Sequence, residues 1–144
     1  MVGVSAQLRQ FVIERAGNHC EYCGLSQEGQ EATFHVDHIQ PVSAGGKTNP
    51  DNLALACVSC SLRKGARQTA VDPASGRDEP LFNPRHEAWP HHFQYRGAVL
   101  ESLTPTGRAT IALLQMNRPL ILAIRQEEAL RGRHPPPFGS PFVK

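Results

Sequence analysis

Hydrophobic positions recur at helical spacing near the start of the chain and again in its last third. Residues 5–17 carry apolar side chains along one helical face, between a serine suited to cap a helix and a glycine suited to end one. Further helices are predicted over residues 106–116 and 119–132, the latter opened by a proline in its first turn. The apolar positions behind these predictions are Leu8, Phe11, Val12, Ala16, Ile111, Leu113, Leu114, Leu120, Ile121, Ile124 and Leu130.

The middle of the chain alternates between apolar and polar residues, which is the pattern of a β-strand. This alternation covers residues 32–39, where strict pleating places Asp37 and His38 on opposite faces unless the strand twists or bulges. A loop rich in glycine and proline follows, then a second strand at 52–57 with two leucines on one face. A short helix over 58–65 completes the order strand, loop, strand, helix.

The rest of the chain has a weaker pattern. Residues 69–92 contain four prolines and no period, which predicts a long irregular connection, and residues 93–103 predict a hairpin. We therefore expect a core at 1–68, an extension at 69–134 packed on it, and a disordered proline-rich tail at 135–144.

Composition limits the classes of function. With 144 residues the chain is one domain's worth, and 12 glycines with 12 prolines predict a small core with many loops. A net charge of +2 does not by itself announce nucleic-acid binding, so any phosphate contact rests on the local cluster Arg63, Lys64 and Arg67, whose alternative is a solvated helix end. No apolar run is long enough to span a bilayer, so we expect a cytoplasmic protein without a membrane partner or small-molecule cofactor.

All four cysteines fall into two C-x2-C pairs. Two such pairs are what a closed tetrahedral zinc site needs, because each short spacer lets one tight turn present two thiolates to the ion. In a reducing compartment four paired cysteines favour Zn²⁺, whereas an extracytoplasmic protein would form two disulfides instead. The proposed zinc ligands are Cys20, Cys23, Cys57 and Cys60.

The motifs between and after the cysteine pairs resemble the HNH nucleases. The matching segments are DHIQP at 37–41, GG at 45–46, DNL at 51–53 and CVSCSLRKG at 57–65. The resemblance implies an α+β fold, in which a zinc-stabilised ββα-metal core of the four-cysteine variant carries flanking helices and a C-terminal extension of a hairpin and helices. It also implies a metal-dependent endonuclease that acts on DNA, with double-stranded DNA as the expected substrate.

The resemblance assigns roles by position. Asp37 would bind a catalytic Mg²⁺ or Mn²⁺, His38 would be the general base, and Asn52 would hold the hairpin and orient the histidine. Ser61 departs from the family pattern, which has Asn or His there as a second metal ligand, and a serine hydroxyl would reach the ion through a water. His35 shares a strand face with Asp37, and either supports the metal or packs across the strands.

Other functions stay open on the sequence. If Ser61 has abolished metal binding, the chain is a non-catalytic zinc module that binds nucleic acid, and the weak net charge favours a zinc-stabilised protein-interaction domain. An isolated Asp-His pair would more simply cap a turn and fill a core. Arg96 and Arg108, in the extension, are weaker candidates for phosphate contact.

Overall fold

Five helices and three two-stranded antiparallel sheets make up the described part of the chain, as expected for an α+β protein. The computed structural model describes residues 3–139. The helices are α1 (Ala6–Arg15), α2 (Val58–Lys64), α3 (Trp89–His92), α4 (Pro105–Leu114) and α5 (Pro119–Leu130). The strands are β1 (His35–His38), β2 (Leu53–Ala56), β3 (Thr69–Val71), β4 (Asp78–Pro80), β5 (Phe93–Arg96) and β6 (Val99–Ser102).

Helix α1 begins at the predicted cap, where the Ser5 hydroxyl accepts a hydrogen bond from the Leu8 amide at 3.1 Å. Its apolar stripe is narrower than the sequence predicts. Val12 is fully buried, but Phe11 is 48% exposed and lies under the guanidinium of Arg15. Arg15 also donates to the Leu53 carbonyl at 2.8 Å, so polar contacts fix α1 against β2.

Strands β1 and β2 pair antiparallel and lead into α2, which confirms the predicted ββα order. The register is continuous from His35 opposite Ala56 to His38 opposite Leu53, so no bulge interrupts β1. The sequence predicts one buried face for β2, but all four of its residues are buried. A strand covered on both sides has no polar face, and α1 and α2 both pack against this one.

The loop between β1 and β2 is held in a fixed shape. Gly45 has a left-handed φ of 89°, and a Cβ atom at Gly46 would overlap the Gln40 carbonyl oxygen. This explains why two glycines stand together where the chain turns back from β1. The loop therefore presents defined positions beside the end of β1.

The predicted irregular connection at 69–92 is more ordered than expected. Strands β3 and β4 form a hairpin within it, and α3 ends it. The carboxylate of Asp72 shapes the turn between the strands by accepting hydrogen bonds from the Ala74 amide at 2.9 Å and the Ser75 hydroxyl at 3.0 Å. Strands of three residues give no alternation to detect, which is why the sequence does not predict them.

The C-terminal part follows the predicted order of hairpin and two helices. On α5, however, Leu120 and Leu130 are 65% and 83% exposed, while Arg125 and Glu128 are buried. Arg125 fits the interior because it donates to the Ala98 carbonyl at 2.8 Å. The buried side of α5 therefore includes charged residues, which the positions of apolar residues in the sequence do not predict.

The main hydrophobic core joins the two halves of the chain, and Ala70, Leu81 and Ala109 form a second, smaller cluster. The main core contains Tyr22, Phe34 and Leu55 from the first half, together with Phe82 and Trp89 from the second. Phe138, within the segment 135–144, packs edge-to-face against Trp89 with ring centroids 5.0 Å apart. The last five residues of the predicted disordered tail lie outside the described residues. Within residues 3–139 no helix is both long and apolar enough to cross a membrane.

Candidate metal centre and nuclease site

The four cysteines come together at one buried point. Cys20 and Cys23 lie on the turn after α1, Cys57 caps the start of α2, and Cys60 lies in its first turn. Their sulfur atoms all lie within 4.8 Å of one another. Two amides donate to sulfur at 3.4 Å, from Cys23 to Cys20 and from Cys60 to Cys57, so the two turns have the same local geometry.

The dimensions of this cluster fit a zinc ion. The Cys23 and Cys57 sulfurs are 3.7 Å apart, which is too far for a disulfide bond of about 2.05 Å. A tetrahedron of thiolates at ~2.3 Å from Zn²⁺ has edges of about 3.8 Å, close to that separation. Hydrogen bonding of the protonated Cys60 thiol to the other three cysteine sulfurs, with burial, raises the pKa of Cys60 well above its usual value. A bound cation would instead lower the pKa values of the cysteines, since it stabilises the thiolates.

The first cysteine turn is tied to the rest of the molecule by side chains. The Glu21 carboxylate accepts from the Leu55 amide at 2.9 Å and pairs with Arg85 of the extension. The indole of Trp89 donates to the Tyr22 carbonyl at 2.8 Å. Both contacts join the segment between Cys20 and Cys23 to residues more than sixty positions later.

His35 and Asp37 lie on the face of β1 that meets α2. His35 Nδ1 is 2.7 Å from the hydroxyl of Ser61, one helical turn from Lys64. Asp37 follows two residues later in a continuous register. Burial lowers the pKa of Lys64, and the negative charge of Asp37 offsets part of that lowering. Among residues 3–139, the Asp37 carboxylate has no hydrogen-bond or salt-bridge partner. A half-buried carboxylate without a partner is a suitable ligand for a cation.

His38 ends β1 on the opposite side of the pleat. Its Nε2 is 2.7 Å from the hydroxyl of Thr48, which the loop brings back beside the strand. Within the described chain, the Asn52 side chain makes no hydrogen bond to His38. The side-chain oxygen of Asn52 accepts a hydrogen bond from the backbone N–H of Gln40 at 2.8 Å. Its side-chain nitrogen donates to the backbone carbonyls of Gln40 at 3.0 Å and Lys47 at 2.8 Å. Asn52 thus holds the loop, and Thr48 contacts the histidine directly.

The basic residues Arg63, Lys64 and Arg67, on α2 and the turn after it, do not all face solvent as three phosphate contacts would require. Lys64 is only 3% exposed, and its ammonium donates to the carbonyls of His38 at 3.4 Å and Ile39 at 3.2 Å. It therefore braces the end of β1 from within rather than meeting solvent. Arg67 is exposed, and Arg63 is half-buried with its guanidinium on the Ser59 hydroxyl at 3.1 Å.

The two weaker candidates in the extension are already paired. Arg108 bonds both oxygens of the Asp72 carboxylate at 2.9 Å, and Arg96 pairs with Glu101 at 2.7 Å. Arg108 therefore serves the β3 to β4 turn, and a phosphate would have to compete with a carboxylate at either position.

The comparison with protein families bears on the same region. The family model described as HNH endonuclease matches residues 20–67, a span that includes both cysteine pairs, the β1 to β2 hairpin and α2. Residues 20–67 are therefore similar to the HNH endonucleases, and this span is called the HNH domain below. The four-cysteine cluster inside it is that expected of the zinc-binding variant. No curated protein and no solved structure matches the chain.

Three residues of the HNH domain have contacts that sequence reasoning did not assign. They are Thr48 on His38, His35 on Ser61, and Lys64 beneath the end of β1. A signal existed for His35, which alternates with Asp37, whereas nothing in the sequence marks the threonine. Lys64 could not be distinguished from its exposed neighbours, because burial of a lysine depends on carbonyls supplied by a distant strand.

Proposed function

We propose that the protein is a metal-dependent endonuclease that hydrolyses the phosphodiester bonds of DNA, with His38 as the general base. The observation that carries this proposal is the pairing of two features in the HNH domain. His38 ends β1 with one ring nitrogen bonded to Thr48, and the adjacent Asp37 carboxylate has no partner within residues 3–139. An imidazole held in one orientation, with an unpaired carboxylate on the preceding residue, provides a proton acceptor and a hard oxygen ligand.

Hydrolysis requires a water to lose a proton as it attacks phosphorus and the bond to the leaving oxygen to break. When the Nε2 proton of His38 is donated to Thr48, Nδ1 is the ring nitrogen with a free lone pair for the water's proton. Asp37 would hold Mg²⁺ or Mn²⁺, with Ser61 in its outer shell. A bound divalent ion supplies neutralisation of the charge that builds up on the phosphate.

The other residues of the HNH domain support this arrangement. Asn52 fixes the loop that carries Thr48, and Lys64 fixes the backbone of His38. The four cysteines would hold a structural Zn²⁺ that joins the turn after α1 to the start of α2. Arg63 and Arg67 lie beside this region on α2 and the turn that follows, and we assign them contacts to phosphates of double-stranded DNA.

The deciding experiment replaces the base while keeping the scaffold. His38→Ala should lower the rate at which supercoiled plasmid is nicked in Mn²⁺ by about 10²- to 10⁴-fold, because proton transfer is lost. Zinc content and unfolding midpoint should stay at the parental values. His91→Ala is the matched control, since His91 is an exposed histidine on α3.

Two results would reject the assignment. Nicking by His38→Ala at the parental rate would show that His38 is not the general base. Undiminished nicking by the parent in excess EDTA would remove the divalent ion, provided that the zinc content is measured and unchanged.

A non-catalytic zinc module that binds nucleic acid is the second candidate, because Ser61 stands where the family has a stronger ligand. It predicts DNA retention that weakens steeply with salt, without cleavage at any Mn²⁺ concentration. Retention measured between low and moderate salt, in parallel with nicking, distinguishes the two functions.

A further inference from the structure

His35 and Ser61 form a contact that the proposed reaction leaves unused. The imidazole Nδ1 lies 2.7 Å from the serine hydroxyl, across the junction of β1 and α2. Both side chains are half-buried, so this bond is not an incidental surface contact. It joins the imidazole to Ser61, the position at which the HNH family pattern has its second metal ligand.

The bond also determines which ring nitrogen is free. If Nδ1 carries the proton and donates it to Ser61, then Nε2 keeps a free lone pair. Histidines that bind metals usually have this arrangement, in which the non-ligating N–H donates to an oxygen that fixes the tautomer. In that case the Ser61 hydroxyl would accept the Nδ1 proton of His35 and leave Nε2 free to bind a metal.

His35 and Asp37 are two residues apart on one strand face, so their Cα atoms are separated by about 6.6 to 6.8 Å. A carboxylate and an imidazole at this spacing on one face can converge on one ion. The partner-free Asp37 carboxylate supplies one donor and His35 Nε2 supplies the other.

We propose that His35 is the second protein ligand of the catalytic divalent ion, binding through Nε2 beside Asp37, while the Ser61 hydroxyl holds its tautomer. This rests on the proposed function, because it concerns the same ion. It also predicts a metal preference, since an imidazole favours Mn²⁺ over Mg²⁺ more than an all-oxygen site does.

The test measures metal binding directly, on zinc-loaded full-length protein, by calorimetry and by the Mn²⁺ electron paramagnetic resonance signal. Mn²⁺ is used because thiolate sites strongly prefer Zn²⁺, so the cysteine cluster stays filled. His35→Ala should weaken Mn²⁺ binding at least tenfold, and Ser61→Ala should weaken it by about 10-fold or more through loss of the tautomer. His91→Ala should bind Mn²⁺ as the parent does.

His35→Asn gives a readout that a purely structural role would not change. It substitutes a carbonyl oxygen for the imidazole, so the ratio of Mn²⁺ to Mg²⁺ affinity should fall at least severalfold. If His35→Ala proves insoluble, this variant and the selective broadening of the His35 ring resonances by Mn²⁺ in the parent decide the question. Parental Mn²⁺ affinity in His35→Ala, or an unchanged affinity ratio in His35→Asn, would overturn the proposal.

The outcomes separate this inference from the nuclease assignment. Metal binding that depends on His35 and Asp37, without nicking of DNA, would leave the ligand assignment standing and reject the enzyme. Nicking that depends on His38 and Asp37, with no effect of His35 on Mn²⁺ affinity, would support the nuclease and reject His35 as a metal ligand. A parent that binds no Mn²⁺ would reject the ligand assignment outright.

Discussion

Among single residues, Thr48 has the most direct influence on the proposed base, because its hydroxyl is bonded to His38 Nε2 at 2.7 Å. Thr48→Val removes this partner and keeps the shape of the side chain. We expect the maximal nicking rate to fall about tenfold, the order of one lost hydrogen bond of 1.4 kcal/mol, with little change in KM.

Thr48→Ser, which keeps a hydroxyl, should restore most of the rate and is the matched control. Steady-state nicking kinetics over a range of plasmid concentrations separate the two parameters. Equal maximal rates for Thr48→Val and the parent would show that the ring is oriented by other contacts.

Lys64 is the second residue whose role follows from burial. Its ammonium contacts two carbonyls at the end of β1, and Lys64→Met would leave both without that donor. Hydrogen bonds to charged groups contribute about 1.5 to 3 kcal/mol, so the free energy of unfolding should fall by that amount in urea titrations. Lys47→Met, at an exposed position in the loop, should leave it unchanged. An equal effect of both substitutions would contradict the bracing role.

At the scale of elements, the β3 to β4 turn depends on one ion pair with α4. Arg108 holds the pKa of Asp72 well below its usual range through two hydrogen bonds. A carboxyl with a lowered folded-state pKa stabilises the protein above its unfolded pKa of about 3.9, and that contribution is lost as the pH falls toward the folded value.

Asp72→Asn should therefore lower the urea midpoint at pH 7, and the difference from the parent should shrink below about pH 4. Zinc release in acid affects both proteins, so the difference between them is the quantity to follow. Asp78→Asn, on exposed β4, is the control and should show no such trend. A difference that stays constant with pH would exclude the ionised carboxylate as its cause.

The elements divide into those that sequence patterns reveal and those that they do not. Helix α1, the β1 to β2 hairpin and α2 could be predicted because caps, alternation and paired cysteines mark them locally. β3 and β4 could not, since three-residue strands have no period. The site divides in the same way. Asp37 and His38 are recognisable as a motif, whereas the bond between His38 and Thr48 depends on how a loop folds back.

For the molecule as a whole, the zinc cluster should control stability. It lies in the core shared by both halves of the chain, and structural zinc can contribute on the order of 10 kcal/mol of folding free energy. We expect one Zn²⁺ per chain, and we expect Cys20→Ser to give insoluble or molten protein. Metal analysis of purified, folded parent that finds well under one zinc per chain would contradict this.

Trp89 is the one tryptophan of the chain, and its indole donates to the Tyr22 carbonyl between the first two cysteines. The ring is buried against Phe93 and Tyr95 of the extension and against Phe138, which follows it. Its fluorescence, excited selectively at the red edge of the absorption band, is therefore a built-in optical reporter of the cysteine turn. Stopped-flow emission during chelation would follow zinc loss and separation of the extension in real time, without any attached dye.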